Sequence, residues 1–194
     1  MKNIYLIGDS IRYGATDGNS PGYGIYVQEL LRGRANVYGP DDNCRFAQYT
    51  LRYLTDWAAQ VDAASIDVVH WNNGLWDVLR IMGDDPLTPV DAYRELLGRV
   101  YRRIRRLFPN AKVIFATTTA VLEEAAKPDF IRYNADIMAY NRAACDLMDA
   151  LQVEVNDLFE ITENYGESLH ADWVHFNATG CRLIADRVAA AVMK

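Results

Sequence analysis

Cysteine, histidine and long apolar runs are all scarce in this chain, and each scarcity narrows what it can be. The three cysteines, Cys44, Cys145 and Cys181, are odd in number, far apart and free of CxxC spacing, which argues against a disulfide framework or a zinc knuckle. A reducing compartment, and hence a cytoplasmic location, is the expectation. No stretch reaches the roughly 18 uninterrupted apolar residues of a membrane span, and the short apolar run ending at Ile7 is too brief for a signal-peptide core. Basic residues are outnumbered, 20 against 26 acidic ones, and the net charge of -6 repels phosphate backbones and anionic lipid. Neither nucleic acid nor a membrane is therefore an expected partner.

What is present is enough apolar material for a core: 51% of 194 residues, which predicts one compact domain spanning residues 1–194. Asn3–Ile7 is a short apolar run ended by glycine and reads as a buried parallel strand. A Gly-, Asn-, Ser- and Pro-rich loop, Gly14–Gly24, leads to a helix over Ile25–Leu31 and a strand over Ala35–Tyr38, stopped by Gly39-Pro40. Leu51, Leu54, Trp57, Ala58 and Val61 give Gln48–Val61 a single buried helical face. Ile66–Trp71 is the third strand.

Thr88-Pro89-Val90-Asp91 predicts a helix start, with Thr88 as the cap, Pro89 in the first turn and Asp91 completing a capping box. Apolar residues from Val90 to Leu107 keep helical spacing. Arg99, Arg102, Arg103, Arg105 and Arg106 then fall on the opposite face and read as solvated. Lys112–Ala116 is the fourth strand, Ile131–Leu151 a long helix, Val153–Val155 a fifth strand and Ala178–Val192 the closing helix. Such alternation predicts an α/β fold with a parallel sheet covered on both sides.

Open parallel sheets place their sites at the carboxyl ends of the strands. Gly8-Asp9-Ser10 follows the first strand, Asp42-Asn43-Cys44-Arg45 the second, and Asn72-Asn73-Gly74-Leu75-Trp76-Asp77 the third. Asp172-Trp173-Val174-His175 precedes the last helix. A serine hydroxyl needs a base to become a nucleophile, and a histidine serves when a carboxylate fixes its tautomer. Of the three histidines, His70 falls inside a strand and reads as a packed residue, and His170 reads as a surface residue or a neighbour of the site. His175 stands three residues after Asp172, a spacing that puts both side chains on one side of a helical turn.

The N-terminal Gly-Asp-Ser block, the middle Gly-x-x-Asp block (Gly74 to Asp77) and the C-terminal Asp-x-x-His block together resemble the SGNH hydrolases, also called GDSL esterases and lipases. The resemblance implies a flavodoxin-like three-layer sandwich, a five-stranded parallel sheet in the order 2-1-3-4-5, and no metal or organic cofactor. It implies Ser10 as nucleophile and, through its backbone N–H, first oxyanion donor, with His175 as base and Asp172 as its orienting partner. The second block lacks the family's glycine, leaving the backbone of Cys44 or Arg45 as donor. The third block carries Trp76 where the family has asparagine, so the third donor is the amide of Asn73 or Asn72 or the indole of Trp76, with Asn73 preferred. Trp76 and Trp173 are candidates for substrate contact, and Tyr13 and Tyr23 for the cleft wall. The expected function is that of a serine esterase cleaving a short, acetyl-like acyl group from an alcohol such as a carbohydrate. A catalytically silent ligand-binding module of the same fold is the alternative.

Overall fold

The computed structural model describes residues 1–15 and 17–194; Thr16, in the loop read over Gly14–Gly24, lies outside the described residues. Chain order runs β1 (Lys2–Ile7), α1 (Ser10–Tyr13), α2 (Tyr23–Leu30), β2 (Ala35–Tyr38), α3 (Ala47–Ala58), β3 (Val68–Asn72) and β4 (Arg80–Ile81). It continues with α4 (Val90–Leu107), β5 (Lys112–Ala116), β6 (Phe130–Ile131), α5 (Asn134–Ala150), β7 (Glu154–Asn156), α6 (Phe159–Thr162) and α7 (Ala178–Met193). Five parallel strands form one sheet in the order β2-β1-β3-β5-β7. Counting only those strands, this is the expected 2-1-3-4-5 topology.

Every residue of β3 is buried, and β1 and β5 are buried over four residues each. This is why the central strands read as continuous apolar runs rather than as alternating ones. Helix α2 packs on α7, whereas α3, α4 and α5 pack side by side, so the sheet is the middle layer of three. Trp71 meets Phe115 edge-on at 5.0 Å between ring centroids, and Tyr5 meets Phe108 at 5.0 Å. Fully buried aromatic side chains of this kind contribute ~1.5–3 kcal/mol each. The exposed residues Arg99, Arg102, Arg105 and Arg106 lie on the outer side of α4, and Arg103 donates to Thr55 Oγ1.

Three local expectations are corrected. Pro89, not Thr88, is the N-cap of α4, and no side chain caps it; the Thr88 N–H instead donates to the Asp77 carbonyl and its carbonyl accepts from Tyr140 Oη. Helix α5 starts at Asn134 rather than Ile131, because Phe130–Ile131 pairs antiparallel with Arg80–Ile81 in a two-residue ribbon. The Asp172–His175 segment is not a helical turn. The His170 and Phe176 backbones bridge its ends, and the Asp172 carboxylate takes the N–H groups of Val174 and His175, a pattern that excludes helical bonding.

Candidate active site

Three loops at the carboxyl ends of β1, β2 and β3 meet the segment before α7. After β1 the chain turns at Gly8, where any Cβ would stand 2.8 Å from the Arg12 Cβ. Asp9 then caps α1, its Oδ1 accepting from the Ile11 N–H at 2.9 Å. Ser10 is thereby the first helical residue, 6% exposed. The buried Arg12 fixes the neighbouring loop by donating to the carbonyls of Pro40 at 2.9 Å, Asp42 at 2.6 Å and Gly8 at 3.3 Å.

The structure brings Ser10, Asp172 and His175 together in one hydrogen-bonded chain. Ser10 Oγ lies 2.9 Å from His175 Nε2, and His175 Nδ1 lies 2.7 Å from Asp172 Oδ2. Asp172 Oδ1 accepts from the Val174 and His175 N–H groups at 2.7 Å each. Partial burial pushes the Asp172 carboxyl up, but these bonds from His175 and Val174 outweigh it and bring its pKa down to about 2. With Asp172 ionised and bound to Nδ1, the ring nitrogen facing Ser10 is the one left free to accept a proton.

The residues expected to supply amide donors are placed differently. Asn73 is fully buried, and both hydrogens of its amide are engaged, one by the Arg45 carbonyl at 3.0 Å and one by Thr50 Oγ1 at 2.9 Å. Its Oδ1 accepts from the Trp71 indole at 2.7 Å. This corrects the expectation that Asn73 turns into the pocket: it instead ties β3 to the loop after β2. Asn72 serves a different neighbour, donating to the carbonyls of Ala116 and Thr117. The Cys44 N–H donates to the Gly8 carbonyl, and the Arg45 N–H closes a turn on Asn43 Oδ1 at 3.0 Å. Arg45 has φ +45°, the left-handed conformation that glycine adopts freely, so the loop keeps a glycine-like shape without the glycine.

Gly74 is required where it stands. Its φ is +145°, and a Cβ there would lie 2.2 Å from Thr118 Oγ1. The turn it permits sets Leu75 and Trp76 beside a residue that the sequence reading missed, Arg132. This side chain is only 3% exposed and donates through Nε to the Leu75 carbonyl. Its guanidinium lies 5.6 Å from the Trp76 ring, 5.6 Å from Phe130 and 5.3 Å from Trp173. Trp76 and Trp173 are both half-buried. Tyr23 is buried and Tyr13 exposed, its hydroxyl donating to Asp41. His70 is buried in β3 beside Asn156, and His170 stacks on Phe176, its Nδ1 near the Gly166 carbonyl. Among the described residues no group of His, Cys, Asp and Glu side chains is arranged to hold a metal ion, and no helix is long and apolar enough to cross a membrane.

Asp77 closes the third block from below. Its carboxylate accepts from the Ala47 N–H at 3.1 and 3.2 Å. Burial drives its pKa up to about 7, even though bonds from the Thr88 side chain and Ala47 oppose the rise. A buried acid raised in this way gives stability that is complete below its unfolded value near 4 and lost as pH rises through about 7. The Asp77→Asn variant removes that loss. Its stability relative to the parent should therefore climb with pH by ~1.4 kcal/mol per pH unit between about 4 and 7. Urea unfolding of both proteins at several pH values measures this, and a constant difference would mean that Asp77 is already ionised in the fold. His70, which burial lowers to about 4, titrates in both proteins and cancels from the comparison.

Residues 6–183 match the family model of the GDSL-like lipase/acylhydrolases. Among solved structures, an acetyl xylan esterase, AlAXEase, is 21% identical, aligns over 98% of this chain and 99% of its own, and gives a TM-score of 0.76. A lipase/acylhydrolase from Enterococcus faecalis is 24% identical over 99% of this chain and 95% of its own, also with a TM-score of 0.76. At such identities the likeness carries the fold alone. No curated protein matches the chain. A match over most of its length, on the fold and loop arrangement described above, makes this chain a member of the GDSL-like lipase/acylhydrolase family.

Proposed function

We propose that the chain, acting as one domain over residues 1–194, is a serine esterase that removes a short, acetyl-like acyl group through Ser10, His175 and Asp172. The observation that carries this is the hydrogen-bonded chain from Ser10 Oγ through both ring nitrogens of His175 to Asp172. Ser10 Oγ attacks the ester carbonyl while His175 Nε2 takes its proton, and the carbonyl π pair moves onto oxygen. Collapse of that intermediate expels the alcohol, which leaves with the proton from His175. Water, deprotonated by the same nitrogen, then releases the acid and restores Ser10.

The Ser10 N–H makes no hydrogen bond to another described residue, which suits it to face the developing oxyanion. Trp76 and Trp173, both half-buried against Arg132 and with Trp173 next to Asp172 in the chain, offer aromatic surface for the alcohol part, and a sugar is the candidate because its C–H faces pack on such rings; the acetyl xylan esterase among the structural relatives fits the same reading. The free thiols of Cys44, Cys145 and Cys181 fit a reducing, cytoplasmic setting.

The test is labelling by a fluorophosphonate, which should modify Ser10 and no other serine, followed by p-nitrophenyl esters of increasing chain length and then acetylated sugars. Folded protein that leaves the probe untouched would favour a silent binding module over an esterase. A preference for long acyl chains would remove the acetyl assignment and leave the esterase standing.

A further inference from the structure

The amide groups first expected to meet the oxyanion are engaged elsewhere, while the terminal N–H groups of Arg132, a cation set against Trp76 and Trp173, have no partner among the described residues. Of the five N–H bonds of the Arg132 guanidinium, only that on Nε is used among the described residues, on the Leu75 carbonyl. Neither terminal nitrogen hydrogen-bonds to a described residue, and neither is sealed from solvent. No carboxylate lies within ion-pair distance of them among the described residues. An almost wholly buried cation without a paired anion is costly, so its retention calls for a partner that arrives from outside.

Its surroundings say where that partner sits. Nε is anchored to the third block, one residue after Gly74, and the plane is held between Trp76, Phe130 and Trp173. Trp173 adjoins Asp172, and the carboxylates that act on the Arg132 charge are those of Asp9 and Asp172. One is the neighbour of Ser10 and the other the partner of His175. Burial lowers the Arg132 pKa to about 10 against the pull of those two carboxylates, so the group remains a cation at neutral pH.

Building on the esterase reading, we propose that Arg132 is a catalytic residue whose terminal N–H groups donate to the ester carbonyl oxygen as it becomes an oxyanion. The guanidinium keeps all its protons throughout. It supplies a charge-assisted hydrogen bond that strengthens as negative charge collects on that oxygen. Being held by Leu75 and three aromatic rings before substrate binds, it needs no reorganisation in the transition state.

The experiment measures steady-state hydrolysis of p-nitrophenyl acetate and of an ester with a free carboxylate on its acyl chain. The proteins are the parent, Ser10→Ala, Arg132→Ala and Arg132→Lys, each checked for folding by thermal melting. Arg132→Ala should lower kcat by ~10²- to 10³-fold on both esters with KM nearly unchanged. Arg132→Lys, retaining charge without the fork, should fall between. Millimolar guanidinium should restore at least ~10-fold of the lost kcat in Arg132→Ala and leave the parent unaffected.

A loss confined to the carboxylate ester would show that Arg132 reads substrate charge instead, and would overturn the proposal. So would a rise in KM with kcat intact, or a folded Arg132→Ala that guanidinium does not rescue. If Arg132→Lys alone folds and matches the parent in kcat, the fork geometry is not used and the proposal fails. Ser10-dependent hydrolysis that survives Arg132→Ala undiminished removes Arg132 and leaves the esterase reading in place, whereas a parent protein without Ser10-dependent hydrolysis removes both.

Discussion

Ser10→Ala and His175→Ala should each lower kcat/KM for ester hydrolysis by ~10³- to 10⁶-fold while leaving the protein folded, and the double variant should be no worse than either single one. The reason is that nucleophile and base form one unit. Ser10 Oγ and His175 Nε2 stand 2.9 Å apart, and neither group has a reaction to perform without the other. Neither removal should unfold the chain, because Ser10 sits in a four-residue helix whose cap bond belongs to Asp9, and the turn around His175 is held by the Asp172 carboxylate on backbone N–H groups.

Asp172→Asn should be damaging to a smaller extent, ~10²- to 10⁴-fold, since an amide can still bond to Nδ1 yet does not favour the imidazolium that forms. Against the upward push of partial burial, hydrogen bonds from His175 and Val174 hold the Asp172 pKa down at about 2. The carboxylate stays ionised at every pH above about 4, so no limb of the rate profile in that range belongs to it. Initial rates for the parent and the four variants, each normalised to folded protein, check all of this. A Ser10→Ala protein within tenfold of the parent would end the assignment of that serine.

How far the sequence carries the reader depends on whether a feature is local. The central sheet strands are legible because a strand buried on both faces is a largely apolar run, as in Val113–Ala116, while Ile66–Trp71, interrupted by Asp67 and His70, is observed shifted to Val68–Asn72. Ser10 and the Asp172-x-x-His175 spacing are legible because strand-end loops are short and their chemistry is carried by residue type. Arg132 is not, for a physical reason: its only hydrogen bond to a described residue reaches the Leu75 carbonyl, 57 residues away in sequence. Helical periodicity also absorbed it into a helix beginning at Ile131, whereas two residues of ribbon pairing hold the chain extended until Tyr133 caps α5. Arg12 escaped for the same reason, since its partners are carbonyls of a loop about thirty residues on. The amide of Asn73 shows the opposite failure. Its position at the strand end was clear, but which hydrogen bonds it makes is decided by Thr50 and Arg45, which arrive from α3 and the loop before it.

That placement gives Asn73→Ala a large effect on stability. Trp71 and Asn73 lie two residues apart and face the same side, as the strand period requires, and the indole N–H of the buried Trp71 has Asn73 Oδ1 as its acceptor. Truncation leaves that donor without a partner, and it also frees Thr50 Oγ1 and the Arg45 carbonyl. Each buried group left unpaired costs ~1–3 kcal/mol. Thr50 Oγ1 keeps its bond to the Cys44 carbonyl, and Arg45 lies on an exposed loop, so the lower half of that range applies to those two. The expected loss is ~3–7 kcal/mol, or a Tm lowered by ~6–28 °C for a chain of this size. Because the Arg45 turn is released as well, kcat should fall too, but only alongside the stability loss. Thermal melting together with kcat measured well below the variant's Tm separates the causes. An Asn73→Ala protein with the parent's Tm and a kcat reduced ~10²-fold would mean that the amide turns to the reacting oxygen after all, and that the bonds to Arg45 and Thr50 give way when substrate arrives.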